Sequence, residues 1–384
     1  PRQGAYWWGA PGTTAAGTVA TPRIWRSLLM AGVYSLFRPL LFRLNPETAH
    51  DIVVQTIGLM GQIHPLNQYL IDTCRGPLPS IPVEAMGLSF PNPVGLAAGL
   101  DKDAKAVDGL AALGFGFLEL GTVTPLPQSG NPRPRMFRMT SAQALVNRMG
   151  FNSGGLNFFL ARLGQQQQQA IIGINLGRNA ATSNEEAWRD YLTGLRAVYR
   201  VADYVTINIS SPNTKGLRDL QERDTLDGLI ARLKAEQSQL AQLHQKYTPI
   251  VVKISPDLDI ESVARVAEVL TLRGIDGIVA TNTTISRPLD AKAHPQASQA
   301  GGLSGAPLAA LSHRIISELR QHTPSDFPVI GVGGIMDAAS AQAAFSAGAT
   351  LVQLYSGLIY RGPALVTEIL VALQAAQAAK APTS

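Results

Sequence analysis

Cysteine is nearly absent from this chain of 384 residues: Cys74 stands alone. One thiol permits no disulfide within the chain and no cysteine-rich metal site, and it fits a reducing compartment. Acid is absent from the first 46 residues, which hold Arg2, Arg23, Arg26, Arg38 and Arg43. Those five arginines account for the whole formal charge of +5, so the remaining body is neutral. A neutral body argues against a nucleic-acid partner, which needs a basic face. A basic, apolar N-terminus instead suits an anionic surface such as a membrane. Long apolar runs are also missing. The stretch from Leu28 to Phe37 is too short to span a bilayer, and it meets Arg38 and Pro39 without a small-residue cleavage site. A signal peptide is therefore the weaker reading of it.

Residues 1–29 combine Gly, Pro, Thr and Ala with three tryptophans and predict a flexible or non-native leader, with Met30 as the natural start. Residues 30–76 predict a two-helix hairpin. Val33, Leu36, Phe37, Leu40, Leu41 and Leu44 fall at helical spacing. Asn45-Pro46-Glu47 then supplies an N-cap, a proline at the first helical position and an acid in the first turn. The second helix carries His50, Val53, Val54 and Ile57 on one stripe and is expected to fade at Gly58 and Gly61. Such a hairpin either packs on the body or dips into a membrane. His50 on that stripe is a core residue or a ligand contact.

From residue 77 to 384 the pattern changes. Met86–Phe90 followed by Pro91-Asn92-Pro93 predicts a small hairpin. Eight apolar runs follow, each read as leading into a helical stretch: Val94–Ala98, Gly116–Leu120, Ile171–Leu176, Tyr204–Ile209, Ile250–Ile254, Gly277–Ala280, Val329–Val332 and Leu351–Leu354. Eight βα units predict a (β/α)8 TIM barrel. A doubly wound sheet is the alternative, but no Gly-x-Gly-x-x-Gly turn opens a first unit. One long insertion after the second strand contains Asn147-Arg148-Met149-Gly150-Phe151 and is expected to fold back over the barrel mouth. The glutamine run Gln165–Gln169 carries no assignment, and the Ala-rich tail after Ala372 extends the last helix.

Barrel enzymes work where the strands end. Here those ends carry amides, hydroxyls and glycines, with only two lysines. The clearest is Asn208-Ile209-Ser210-Ser211-Pro212-Asn213-Thr214, an uncharged polar cluster suited to a flat polar ligand. Gly333-Gly334 and Ser356-Gly357 follow strands seven and eight, the usual place for a phosphate held by backbone N–H groups. Lys253 ends strand five, and three readings of it stay open: a Schiff base, a charge against the negative edge of a cofactor ring, or a solvated group.

Seven motifs in order resemble the quinone-dependent (class 2) dihydroorotate dehydrogenases, from about Met30 to Ile369. They are Leu96–Asp103, Gly121–Pro125, Asn147–Asn152, Asn208–Thr214, Ala280–Thr284, Gly301–Gly305 and Gly331–Ile335. The resemblance implies an FMN-bearing barrel that oxidises (S)-dihydroorotate to orotate in pyrimidine synthesis. A proton leaves C5, a hydride leaves C6 for flavin N5, and a membrane quinone accepts the electrons. It assigns the C5 base to Ser211, where the cytosolic class carries cysteine, and the proton relay to Thr214 and Phe151. For the substrate it implies Lys102, Asn147, Asn208, Asn213, Asn282 and Thr283, with Arg148, Met149 and Gly150 beside Phe151. For FMN it implies Ala98, Gly99, Leu100, Asp101, Lys102, Thr122, Asn175, Asn208, Lys253, Thr281, Gly305, Gly334, Tyr355 and Ser356. Lys253 would then stabilise reduced, anionic flavin. His50, Arg138 and Tyr355 match a quinone tunnel beneath the N-terminal helices. No metal is implied. The expected state is a monomer, peripheral on the cytoplasmic face of a bacterial membrane, with the mitochondrial inner membrane as the alternative. Three rival functions share the barrel: an aldolase or isomerase using Lys253, a flavin reductase acting on RNA bases, and a membrane-surface binding module.

Overall fold

The computed structural model describes residues 24–75, 78–167, 170–288 and 294–379. Helix α1 spans Ile24–Arg43, so residues 24–29, expected in the leader, are helical; the rest of the leader lies outside the described residues. Helix α2 spans Pro46–Gln62. Its start follows the sequence reading: the Asn45 side chain accepts a hydrogen bond from the Glu47 backbone N–H at 2.9 Å. Its end does not. The helix runs through Gly58 and Gly61, and α3 (His64–Leu70) follows almost at once. The two glycines are contact points rather than breakers. A Cβ at Gly58 would overlap the Lys105 carbonyl, and one at Gly61 would overlap the Gly109 backbone, on helix α4 (Val107–Ala112) and the turn before it. Glycine costs helix stability in isolation, but here it lets two helices touch backbone to backbone.

The hairpin β1 (Val83–Ala85) and β2 (Leu88–Phe90) comes next. The eight apolar runs all become strands: β3 (Val94–Leu96), β4 (Phe117–Val123), β7 (Ile171–Leu176), β8 (Tyr204–Asn208), β9 (Ile250–Ile254), β10 (Gly277–Ala280), β12 (Val329–Val332) and β13 (Leu351–Leu354). They are parallel throughout and close into a barrel in chain order, β13 pairing with β3. The fold is a (β/α)8 barrel with an N-terminal helical extension. The main core lies between the strands and the surrounding helices. The Ala-rich tail does extend the last helix, Ala364–Ala378.

Inside the barrel the side chains form layers. Phe117, Tyr204, Val251, Val279, Ile330 and Leu351 make an apolar floor, and Phe90 of the hairpin packs on it, its ring edge-on to Phe117 at 5.2 Å. Two glycines make room for the large rings. A Cβ at Gly95 would overlap Phe117, and one at Gly173 would overlap Tyr204. Two residues further along the same strands the layer turns polar: Glu119, Thr206, Lys253 and Gln353. With a period of two they share the inward face of the floor residues.

The insertion does fold over the mouth, but as part of a sheet that the sequence reading did not anticipate. Strands β5 (Met136–Met139) and β6 (Ala144–Asn147) pair antiparallel, and β11 (Gly302–Gly305) joins on the far side of β6. Gly302 pairs with Asn147. Only glycine fits there, because a Cβ would overlap the Thr283 hydroxyl.

Candidate active site

One cavity opens at the C-terminal end of the barrel. Its wall includes Ala98, Gly99, Lys102, Thr122, Asn147, Met149, Gly150, Phe151, Asn208, Ser211, Asn213, Lys253, Thr281, Asn282, Thr283, Gly305, Gly334, Tyr355 and Ser356. Most of the residues singled out from the sequence therefore meet in one place. The wall also includes Ser304, Gln353 and Gly333.

The polar groups hydrogen-bond to one another in two sets. Thr122 Oγ1 donates to Asn175 Oδ1 at 2.6 Å, and Asn208 Nδ2 donates to both Thr122 Oγ1 and Asn175 Oδ1 at 3.1 Å. Asn282 Nδ2 donates to Ser210 Oγ at 3.0 Å, and Asn213 Nδ2 to Asn147 Oδ1 at 3.3 Å. Buried amides need such partners, and each partner also fixes which way the amide faces. Ser211 Oγ accepts the Asn213 backbone N–H at 3.2 Å. Phe151 sits at φ 53°, in the left-handed region, with its ring against Gly177. Arg218 clamps this end of the barrel: it donates to Ser210 O at 3.1 Å and to Thr283 O at 3.0 Å while pairing with Asp257 at 2.7 Å.

Two ammonium groups face the cavity. Burial, with the Arg135 charge nearby, pulls Lys102 down to about 8. Lys253 is also pulled down by burial, and Glu119 opposes that shift from 3.9 Å. Lys253 is buried, so the solvated reading of it fails.

Five expected residues stand off the wall. Asn175 is fully buried within the amide net. The Asp101 carboxylate accepts the Lys105 and Ala106 backbone N–H groups at 2.8 Å, which shapes the turn that carries Lys102. Leu100 lines a second cavity. Thr214 is buried in the Ser211 loop. The Arg148 guanidinium straps the mouth, donating to Pro134 O at 2.9 Å and Gln299 Oε1 at 3.0 Å and stacking on Phe137. Sequence reasoning missed Glu119 altogether. The signal was there: an acid inside the apolar strand Phe117-Leu118-Glu119-Leu120.

The second cavity, about 550 Å³, lies between the N-terminal helices and the barrel. His50, Arg138 and Tyr355 all line it, among Phe37, Leu40, Val53 and other apolar side chains. Tyr355 thus stands on the wall of both cavities. Burial, reinforced by the Lys102 charge, brings His50 down to about 4 and keeps its imidazole neutral. Arg138 lies over the Phe42 ring at 4.3 Å and donates to the Phe42 carbonyl at 3.0 Å. Leu36 and Leu59, outside this cavity, and Leu40 on its wall are among the most exposed apolar side chains, at 77%, 57% and 60%. Among the described residues no helix is long and apolar enough to cross a membrane.

A barrel mouth with glycine turns after its last two strands, a floor of amides and hydroxyls, and an adjoining apolar cavity defines an enzyme for a flat polar substrate with a second, greasy one. The family profile described as dihydroorotate dehydrogenase matches residues 80–376. The chain belongs to the dihydroorotate dehydrogenase family. It is 52% identical over 336 residues to the quinone-dependent dihydroorotate dehydrogenase of Chromobacterium violaceum, covering 88% of this chain and 96% of the relative. It is 49% identical over 342 residues to the one from Marinobacter nauticus, covering 89% and 99%. A crystal structure of DHODH from Eimeria tenella in complex with ferulenol superposes with a TM-score of 0.77 at 37% identity, covering 88% of this chain and 93% of that one.

Proposed function

We propose that this chain oxidises (S)-dihydroorotate to orotate in pyrimidine synthesis and passes the electrons, through a bound FMN, to a membrane quinone. One observation carries the reading. Uncharged amides and hydroxyls on several barrel strands and the mouth sheet converge with two lysines, Lys102 and Lys253, on a cavity that also holds Ser211.

The residues fit a flavin nucleotide. Gly99, Gly305, Gly333 and Gly334 all have positive φ, which lets backbone approach a ligand where a Cβ would intrude. Ser304 and Ser356 hydroxyls lie 2.9 Å apart beside these turns, a pair suited to a phosphate. Gln353 Oε1 is buried and has no hydrogen-bond partner among the described residues, an acceptor waiting for a donor such as a ring N–H. When bound, FMN supplies the acceptor for the hydride that leaves C6.

The chain supplies the rest. Lys102 offers a positive charge to the substrate carboxylate. Asn147, Asn208, Asn213 and Asn282, with Thr283, suit the ring amides, since each amide both donates and accepts. Ser211 takes the C5 proton. A hydroxyl is a weak base at its free pKa, so the proton must move on as it is taken. Thr214 in the same loop and Phe151 across the cavity suit that relay and its closure against water. The apolar cavity suits the quinone, and the exposed leucines of α1 and α2 suit attachment at a bilayer surface, on the cytoplasmic face. The aldolase reading is disfavoured because Lys253 faces a carboxylate in a fully buried layer. The protein is read as a monomer.

The test is dihydroorotate-dependent reduction of a soluble quinone, with fumarate and NAD as parallel acceptors. Turnover with quinone alone is the expected result. Turnover only with fumarate or NAD overturns the acceptor, and a bound flavin that dihydroorotate does not bleach overturns the reaction.

A further inference from the structure

Glu119 is the one acid in the barrel interior that the reaction above leaves without a task. It is fully buried. Its two oxygens accept four hydrogen bonds: from Asn175 Nδ2 at 2.7 Å, Gln353 Nε2 at 2.8 Å, Thr206 Oγ1 at 3.0 Å and the Tyr204 hydroxyl at 3.2 Å. The Lys253 ammonium lies 3.9 Å away. A buried carboxylate is strongly unfavourable unless it is paired and hydrogen-bonded. Most inward positions of a barrel are apolar, and the floor one layer below this one is. Four strands, β7, β8, β9 and β13, nevertheless each aim a polar side chain at this single group. Three of the five partners, Asn175, Lys253 and Gln353, belong to the cavity wall or to the net that supports it.

We propose that Glu119 is a positioning residue for the flavin site, acting through Lys253, whose ammonium it fixes and keeps charged beneath the cofactor ring. The inference rests on the reading that a flavin occupies this cavity. The geometry explains why the arrangement takes this form. Lys253 is only 5% exposed, and burial there favours the neutral amine. Glu119 is the charged group whose field opposes that loss. The neighbouring strands bring no second acid. The β8 tyrosine, Tyr204, donates to Glu119 itself and is pushed far up by burial and by that carboxylate, so it stays neutral. From β7 and β13 come the uncharged amides of Asn175 and Gln353. The four neutral donors hold the carboxylate still, and the carboxylate then holds the lysine. A charged Lys253 can stabilise negative charge arriving on the ring without taking up a proton at that moment.

This gives a signature that a purely structural role does not produce. In the wild-type protein Lys253 is charged in both oxidation states of the flavin. In E119Q the amide keeps the shape but removes the charge, and Lys253 turns neutral while the flavin is oxidised. Reduction then draws one further proton from solvent onto Lys253 Nζ. The experiment is a redox titration of the flavin-loaded protein across about pH 6 to 9, the range into which a buried lysine moves. The expected result is a midpoint potential in E119Q that falls more steeply with pH than in wild type, by one proton per flavin reduced. The extra steepness must vanish when E119Q is combined with K253M. An E119Q slope equal to wild type, or an extra slope that persists with K253M, overturns the proposal. Where E119Q does not retain flavin, E119D decides by the same slope, since it withdraws the carboxylate by one methylene. An E119D slope above wild type, lost with K253M, supports the role, and an unchanged one overturns it. A wild-type protein that carries no flavin defeats the reading of the cavity itself. A flavin-loaded wild type with null variants defeats only the role of Glu119.

Discussion

The two cavities share a tyrosine and little else. The barrel-mouth cavity is lined by amides, hydroxyls and two lysines, Lys102 and Lys253. The helical cavity is lined almost wholly by hydrocarbon, with His50 and Arg138 as its main polar groups. The first is built on strand ends, where backbone geometry is rigid and most of the polar groups are hydrogen-bonded to one another. The second is built between α1, α2 and the barrel, where the contacts are apolar and non-directional. The contrast shows how one chain serves a polar and an apolar molecule. Recognition of the polar one needs fixed hydrogen-bond directions, whereas the apolar one needs only removal from water.

The sharpest way to break this contrast is at Ser211. Ser211→Ala should lower turnover by about a hundred- to ten-thousand-fold, the usual contribution of a proton-transfer group, while orotate binding, followed by the flavin spectrum, stays close to wild type. Equal turnover would remove Ser211 from the mechanism. The join between the two regions comes next. The Glu47 carboxylate on α2 pairs with Arg135 at 2.7 Å and Arg133 at 3.0 Å, at the base of the mouth sheet. Glu47→Ala strands a buried arginine and should cost about 3 kcal/mol of stability, read as a drop in Tm. An unchanged Tm would mean that the helices are held by apolar contacts alone.

A third test separates the surfaces. Replacing Leu36 and Leu59, which are exposed and stand off the cavity wall, together by serine should reduce binding to phospholipid vesicles by about tenfold or more, given about 1.5–3 kcal/mol per apolar side chain withdrawn from water. Reduction of a short, water-soluble quinone should survive. The smallest effect is a pH profile. With Lys102 at about 8 in the free protein, kcat/KM for dihydroorotate should fall above about pH 8, because the charge that meets the substrate carboxylate is lost. The kcat profile should break at higher pH, since a bound carboxylate holds the proton on Lys102. A kcat/KM profile flat to pH 10 would exclude Lys102 from binding.

The strands and the motifs at their ends were legible in the sequence. Each of the eight apolar runs became a barrel strand because its pattern is local, and Asn208, Ser211, Lys253 and Gly334 reached one cavity because parallel strands all end on one side. The Asn45 cap was equally readable, since its partner is two residues away. What sequence reasoning missed is non-local. Gly58 and Gly61 looked like helix breakers until α4 was packed against them. Strand β11 was not anticipated, because its pairing partner, Asn147, is far along the chain. Glu119, an acid in an apolar strand, was passed over. Only closure of the barrel brought Lys253, Tyr204, Thr206 and Gln353 within reach of it. Local periodicity sets which face a side chain takes, so the sequence by itself determined the barrel and the contents of its mouth. Which faces then meet depends on how distant segments close on one another. For that reason the tertiary structure alone decided the mouth sheet and the buried pairing of Glu119 with Lys253.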